Sequence, residues 1–258
     1  MRRYRYLFEQ MVRRELRRKY KGSALGVLWY LVNPLVLAAA YTLMFSFVLR
    51  YDAIDDYPLF LLLGIVVWVF FSQSLIAASE SLIEQSALIR KVRFPRETIP
   101  ASVVATQLVI FGVLLALLIP VALLVRGSLS PALLLLPVVV ALLAAFVLGL
   151  ALAVAVLHAY FRDVAPILAA ALLPWFFVTP IFFRPEQFPG LGERPWLGDL
   201  LRWANPVAPF IEAVRDVLYD GVAPGAGTLA YVVAAAALAL IGGRAVFRRL
   251  EGELAVVV

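Results

Sequence analysis

Few of the side chains that usually perform chemistry occur in this 258-residue sequence, and those present are poorly placed to assemble a catalytic centre. There is no cysteine, which excludes thiol nucleophiles, thiolate metal sites and disulfides. His158 is the single histidine, which argues against a multi-histidine metal centre within one chain, and no span holds the Gly-x-Ser that a serine–histidine arrangement between helices would need. The lysines are Lys19, Lys21 and Lys91, and none follows a glycine. The Gly-Lys-Ser/Thr ending that cradles nucleotide phosphates is therefore missing. Asp52, Asp55 and Asp56 cluster in a nine-residue connection. They lack the Asp-x-x-Asp-Gly pattern of membrane alcohol-phosphate transferases, and we read them as a solvated acidic tip.

The elements that must position these groups are apolar. Hydrophobic residues make up 64% of the chain, against about 45–50% in an average soluble domain. Six stretches contain no Asp, Glu, Lys, Arg or His: Ala24–Val48, Pro58–Ser79, Ala101–Val125, Ala132–Leu157, Pro166–Phe183 and Ala226–Gly243. About 20 apolar residues cross a bilayer core of roughly 30 Å, so the expected fold class is an all-α integral membrane protein with six transmembrane helices. The fifth stretch is short and carries Pro174 and Pro180.

Net charge is +6, unevenly spread. The N-terminal segment, the 80–100 elbow, the 158–165 loop and the C-terminal tail together hold 17 Lys and Arg, and the connections on the other side hold 6. The positive-inside rule places both termini in the cytoplasm. Residues 1–23 lack the apolar core of a signal peptide. Tyr4, Leu7, Phe8, Met11, Val12 and Leu16 instead repeat at helical spacing beneath a basic face. This predicts an amphipathic interfacial helix, held by anionic lipid or by a soluble partner. Residues 24–258 then form one transmembrane domain, with no nucleic-acid partner expected.

Two connections are longer than a hairpin needs. Residues 80–100 read as a cytoplasmic elbow, either a docking surface or a basic membrane-edge loop; Phe94 looks exposed, and Pro95 and Pro100 punctuate it. Residues 184–225 carry their own helical signals. Trp196 to Trp203 predicts one short apolar helix. Asn205 as N-cap with Pro206 at the first helical position predicts a second, running to Tyr219. Both are expected to dip into the external membrane face.

Ionisable groups are missing from all six spans, which argues against proton-coupled transport, since that needs intramembrane carboxylates, histidines or bases. His158, at the end of the fourth span, reads as an interface or capping group. Uphill movement would have to draw its energy from another polypeptide. Aromatic residues concentrate in the first, second and fifth spans. They suit either interfacial belts or a path along which sugar rings stack and slide.

The run Arg14-Glu-Leu-Arg17-Arg-Lys-Tyr20-Lys-Gly-Ser23-Ala-Leu25-Gly26-Val-Leu-Trp29-Tyr-Leu-Val-Asn33-Pro34 resembles the N-terminal signature of the ABC permeases that export O-antigen, teichoic acid and capsule. Leu88–Arg96, Tyr160–Val164 and Asn205-Pro206 with Pro209, Arg215 and Tyr219 extend the similarity in the same order over nearly the whole chain. The resemblance implies a homodimer bound to two copies of a separate ATPase subunit, which would hold the ATP and Mg, and no cofactor in this chain. It implies a docking surface containing Arg14, Arg17, Glu84, Arg90, Lys91, Arg93, Phe94, Pro95 and Arg96. It implies a channel for a lipid-linked glycan at the dimer interface, formed by the first and fifth spans. Candidate lining residues are Trp29, Tyr30, Tyr41, Phe45, Trp68, Phe70, Trp175, Phe176 and Phe183. An external gate would hold Trp196, Trp203, Asn205, Pro206, Arg215 and Tyr219. The alternatives are a drug or lipid exporter permease and a polytopic enzyme acting on lipid-linked sugars.

Overall fold

A computed structural model describes residues 5–20, 29–48, 54–92, 94–127, 130–185 and 195–254, with the side chains of residues 19, 20, 30, 31, 47, 48 and 195 outside that description. Most of the Tyr20–Trp29 turn and all of Asp52 and Arg93 lie outside the described residues.

The described residues form helices joined by short turns, with no strand among them. Helix α1 spans Arg5–Tyr20, α2 Trp29–Thr42, α3 Tyr57–Glu84, α4 Ser86–Lys91, α5 Thr98–Arg126, α6 Leu136–Tyr160, α7 Val164–Val178, α8 Pro195–Asp199, α9 Ala208–Arg215 and α10 Ala226–Leu250. Short π-helical turns extend α2 (Leu43–Val48), α8 (Leu200–Ala204) and α9 (Asp216–Asp220). Each charge-free stretch thus contains a helix. Four are long and apolar enough to cross a bilayer: Tyr57–Glu84, Thr98–Arg126, Pro131–Tyr160 and Ala226–Glu253. The remaining two, α2 and α7, are shorter.

The fifth expected span is shorter than the sequence suggested. Helix α7 stops at Val178, because Thr179 turns extended and Pro180 follows. Its 15 residues rise about 22 Å at 1.5 Å each, less than a full hydrocarbon core. Phe182 and Phe183 consequently lie beyond the helix.

Helix α3 is the hub. In its most apolar window 78% of residues lie inside the protein, against 17–33% for the other three long helices. Helices α2, α5, α6, α7 and α9 all pack on it. Its Phe60, Leu61, Ile65, Val67 and Phe71 are fully buried. The most extensive pairing joins α6 to α10. There Gly149 and Gly243 let two backbones touch: a Cβ on Gly149 would overlap the Ala239 backbone, and one on Gly243 the Gly149 carbonyl. Small residues at a helix crossing do this in membranes, where burial from water cannot drive packing.

The bundle has two distinct ends. At the basic end, Met11 of α1, Leu82 of α3, Ile89 of α4, Ile99 of α5, Val156 of α6 and Phe247 of α10 form a second apolar cluster. At the far end, the α9 region plugs the space between α3, α6 and α10. Ser130 stitches that end together: its hydroxyl donates to the Gly221 carbonyl (2.6 Å) and accepts from the Ala132 amide. Gly221 has φ +71°, and a Cβ there would collide with the Arg126 guanidinium, so glycine is required on both counts.

Candidate functional site

The candidate residues fall into three groups. The first, at the basic end, is the elbow. Helix α4 ends at Lys91 and Val92 is extended, while Pro100 sits in the first turn of α5. Arg90, Lys91, Val92 and Pro95 are exposed, as are Arg14 and Arg17 on α1. Arg18 joins the two segments, donating to Glu84 of α3 (2.8 Å) and to Glu15 (3.1 Å). Two of the predicted docking residues turn inward. Phe94 is half-buried against the second apolar cluster, correcting its expected exposure. Arg96 donates to the Glu251 carbonyl at the end of α10. Glu97 also faces α10, accepting from Arg244 and Arg248. His158 is buried, and its Nδ1 accepts the Ala165 amide (3.2 Å), capping the first turn of α7. That is a cap, as expected of a helix-end histidine.

The second group is aromatic. Trp68, Phe70 and Phe176 are buried inside the chain. Phe70 stacks on Phe111 (4.8 Å between centroids), and Trp68 meets Trp175 and Phe176 at 6.1 and 5.6 Å. Tyr41, Phe45, Trp175 and Phe183 are half-buried, Trp29 is exposed, and the Tyr30 side chain lies outside the described residues. The rings converge on Phe182, which the sequence reading did not place among the site residues. Tyr41, Phe45 and Phe176 surround it at 4.7, 5.5 and 5.1 Å. Within the chain these contacts are packing, since edge-to-face and offset rings of this kind stabilise an apolar core.

The third group is the far end. The second short helix begins at Ala208, later than Asn205 and Pro206 suggested. Asn205 is recruited elsewhere, although its Oδ1 still accepts the Val207 amide (3.1 Å). The same oxygen accepts the Trp175 indole N–H (3.1 Å), and Nδ2 donates to Thr179 Oγ1 (2.8 Å). Thr179 in turn donates to the Trp175 carbonyl (2.7 Å). This closed ring of polar contacts fastens the start of α9 to the end of α7. Pro206 is half-buried, Trp196 is exposed, and the Trp203 carbonyl accepts the Tyr231 hydroxyl (2.9 Å).

Arg215 is the most deeply placed charge among the described residues. It is 6% exposed, although the sequence offered it as one more external cation. Its guanidinium donates to the Phe60 carbonyl (3.1 and 3.0 Å), the Pro180 carbonyl (2.9 Å) and the Ile181 carbonyl (2.6 Å), and lies over the Phe60 ring. Gly64 makes the room, because a Cβ there would sit 2.5 Å from Nη2. One side chain thereby ties α9 to α3 and to the strap after α7. Around it, Arg184 pairs with Asp220 (2.8 Å) and Arg202 with Glu212. These residues enclose a cavity of about 160 Å³. Asp216 borders that cavity; burial, helped by Glu212 and Asp220, pushes its carboxyl up to about 6. Tyr219 donates to the Asp55 carbonyl, closing α9 onto the segment before α3.

The bundle thus carries a buried plug at one end and exposed cations at the other. Residues 6–219 match the family model described as ABC-2 type transporter, and the chain belongs to that family. It is 30% identical over 252 residues to the O-antigen export system permease protein RfbA of Myxococcus xanthus, covering 98% of this chain and 95% of the relative. A second similar protein, the O-antigen export system permease protein RfbA of Klebsiella pneumoniae, is 30% identical over 223 residues, covering 84% and 83%. The chain is a multi-pass membrane protein, and family members of this type are transporter subunits rather than catalysts.

Proposed function

We propose that this chain is the membrane subunit of an ATP-driven exporter moving a lipid-linked polysaccharide of O-antigen, teichoic-acid or capsule type across the cytoplasmic membrane. The observation that carries this reading is the similarity over 98% of the chain to a protein named for O-antigen export. Two copies associate, α2 and α7 join the long helices in crossing the bilayer, and both termini face the cytoplasm. Two copies of a separate nucleotide-binding subunit bind the basic end and hold the ATP and Mg. Exposed Arg14, Arg17, Arg90 and Lys91 support docking there, because cationic and apolar protrusions present ready anchors to a partner. The α8–α9 region dips into the outer face and forms the exit gate, with α2 and α7 beside the path.

The test is reconstitution. The chain with its cognate ATPase subunit should move lipid-linked glycan only when both are present and ATP is supplied. Movement by the chain alone would contradict the reading, and so would a failure of the pair to act on any such glycan.

A further inference from the structure

Carboxamides are the strongest polar groups that the charge-free spans contain, and two of them face outward. Asn33 on α2 and Gln73 on α3 are exposed, and neither side chain makes a hydrogen bond among the described residues. Gln73 lies six residues before Ser79, or about 9 Å inside the apolar boundary at 1.5 Å per residue. An amide left bare to hydrocarbon at that depth loses its hydrogen bonds to water without replacement. Something polar must meet it.

Both amides line one cavity of about 460 Å³ between α2 and α3, with Trp29, Val32, Val36 and Val69. Its size and its mix of apolar wall with few polar groups match a ligand pocket. The Trp29 indole is 54% exposed beside it, offering a flat face. The far-end cavity is smaller, about 160 Å³, and its arginines are already engaged, Arg184 and Arg202 by carboxylates and Arg215 by backbone carbonyls. A carboxamide both donates and accepts, as a sugar hydroxyl does. Neutral pairs of this kind recognise a ring without the strong hold that an ion pair would place on a moving polymer.

We propose that Asn33, Gln73 and Trp29 form a subsite for a neutral pyranose, with the amides bonding ring hydroxyls and the indole covering the ring's apolar face. The subsite rests on the polysaccharide reading. It adds two specificity-determining amides that the aromatic residues alone do not supply.

The test uses the complete assembly with its ATPase subunit. Asn33→Leu and Gln73→Leu keep the helices apolar and should lower glycan export at least tenfold, with dimer mass and basal ATP hydrolysis unchanged. The natural absence of cysteine allows a second readout. Gln73→Cys should react with a water-soluble methanethiosulfonate, which needs a hydrated thiolate. The host's own surface polysaccharide, released by mild acid, should slow that reaction. Wild-type export by both leucine variants overturns the subsite while leaving the exporter reading intact. Loss of the dimer in those variants also overturns it, assigning the amides to contact between copies. A thiol that never reacts assigns the face to lipid. A parent assembly inactive on glycan removes the exporter reading and the subsite together.

Discussion

The two ends of this bundle use arginine in opposite ways. At the far end Arg215 is folded into the protein, with its guanidinium spent on three backbone carbonyls and stacked over Phe60. At the basic end Arg14, Arg17, Arg90 and Lys91 stay exposed on α1 and α4. A buried guanidinium that satisfies carbonyls fixes local structure, because removing it strands those acceptors in a dry interior. An exposed cation contributes little to stability and keeps its charge at the surface. One end is therefore built for rigidity, and the other presents charge.

The contrast can be broken first at Arg215. Arg215→Ala should cost on the order of 2–4 kcal/mol, since it removes several charge-assisted hydrogen bonds from a buried site. Gly64→Leu should do comparable damage from the other side, by denying Arg215 its space. Detergent-purified protein should show the loss as a fall in melting temperature. A melting temperature unchanged in both variants would remove Arg215 as the far-end staple.

A smaller effect is expected at Asn205. Asn205→Ala breaks the links to Trp175 and Thr179 and should cost about 1–3 kcal/mol, the usual penalty for orphaned buried polar groups. Proteolysis should then reach the connection between α7 and α9 sooner than in the parent; equal cleavage rates would argue against the ring of contacts.

Asp216 sharpens the comparison through pH. Its carboxyl titrates near 6 in the folded chain, above its ordinary value of 3.8, so the folded state holds its proton more tightly than the unfolded one. The associated stability is complete below about pH 3.8 and is lost as pH rises through about 6. Asp216→Asn should thus melt higher than the parent at pH 7.5 and equal it near pH 4. A difference independent of pH would contradict the assignment.

The smallest effect on stability is expected at the basic end. Charge reversal at Arg90 and Lys91 should change stability by less than about 0.5 kcal/mol, as exposed substitutions do. The same variants should uncouple ATP hydrolysis in the partner from transport. Transport at the parent's rate would count against docking at this surface.

How much of this was legible in the sequence follows from which forces are local. Charge-free stretches mark apolar helices, and each of the six contains one. The end of α7 was readable in principle from Thr179-Pro180, but continued hydrophobicity to Phe183 masked it. Asn205 looked like a helix cap, and only the fold brings Trp175 and Thr179 to its amide. Arg215 was counted with the external cations, because nothing within its own helix reveals that Phe60, Pro180 and Ile181 turn carbonyls towards it. Gly64 is the one sequence mark of that space, and it acquires meaning only beside Arg215. Trp68 and Phe70 read as candidate lining residues, yet α3 is the central helix and buries them. Gln73 drew no notice because it is uncharged, and Asn33 entered only as the end of the N-terminal run.

The opposition of the two ends is tested most directly by adding single cysteines to a chain that has none, at Lys91 on the elbow and at Trp196 on α8. Spheroplasts bearing each variant would be exposed to a membrane-impermeant thiol reagent. Trp196→Cys should be labelled in intact spheroplasts, and Lys91→Cys only after permeabilisation, with the bound ATPase subunit slowing the second reaction. Labelling of position 91 from outside would contradict the account.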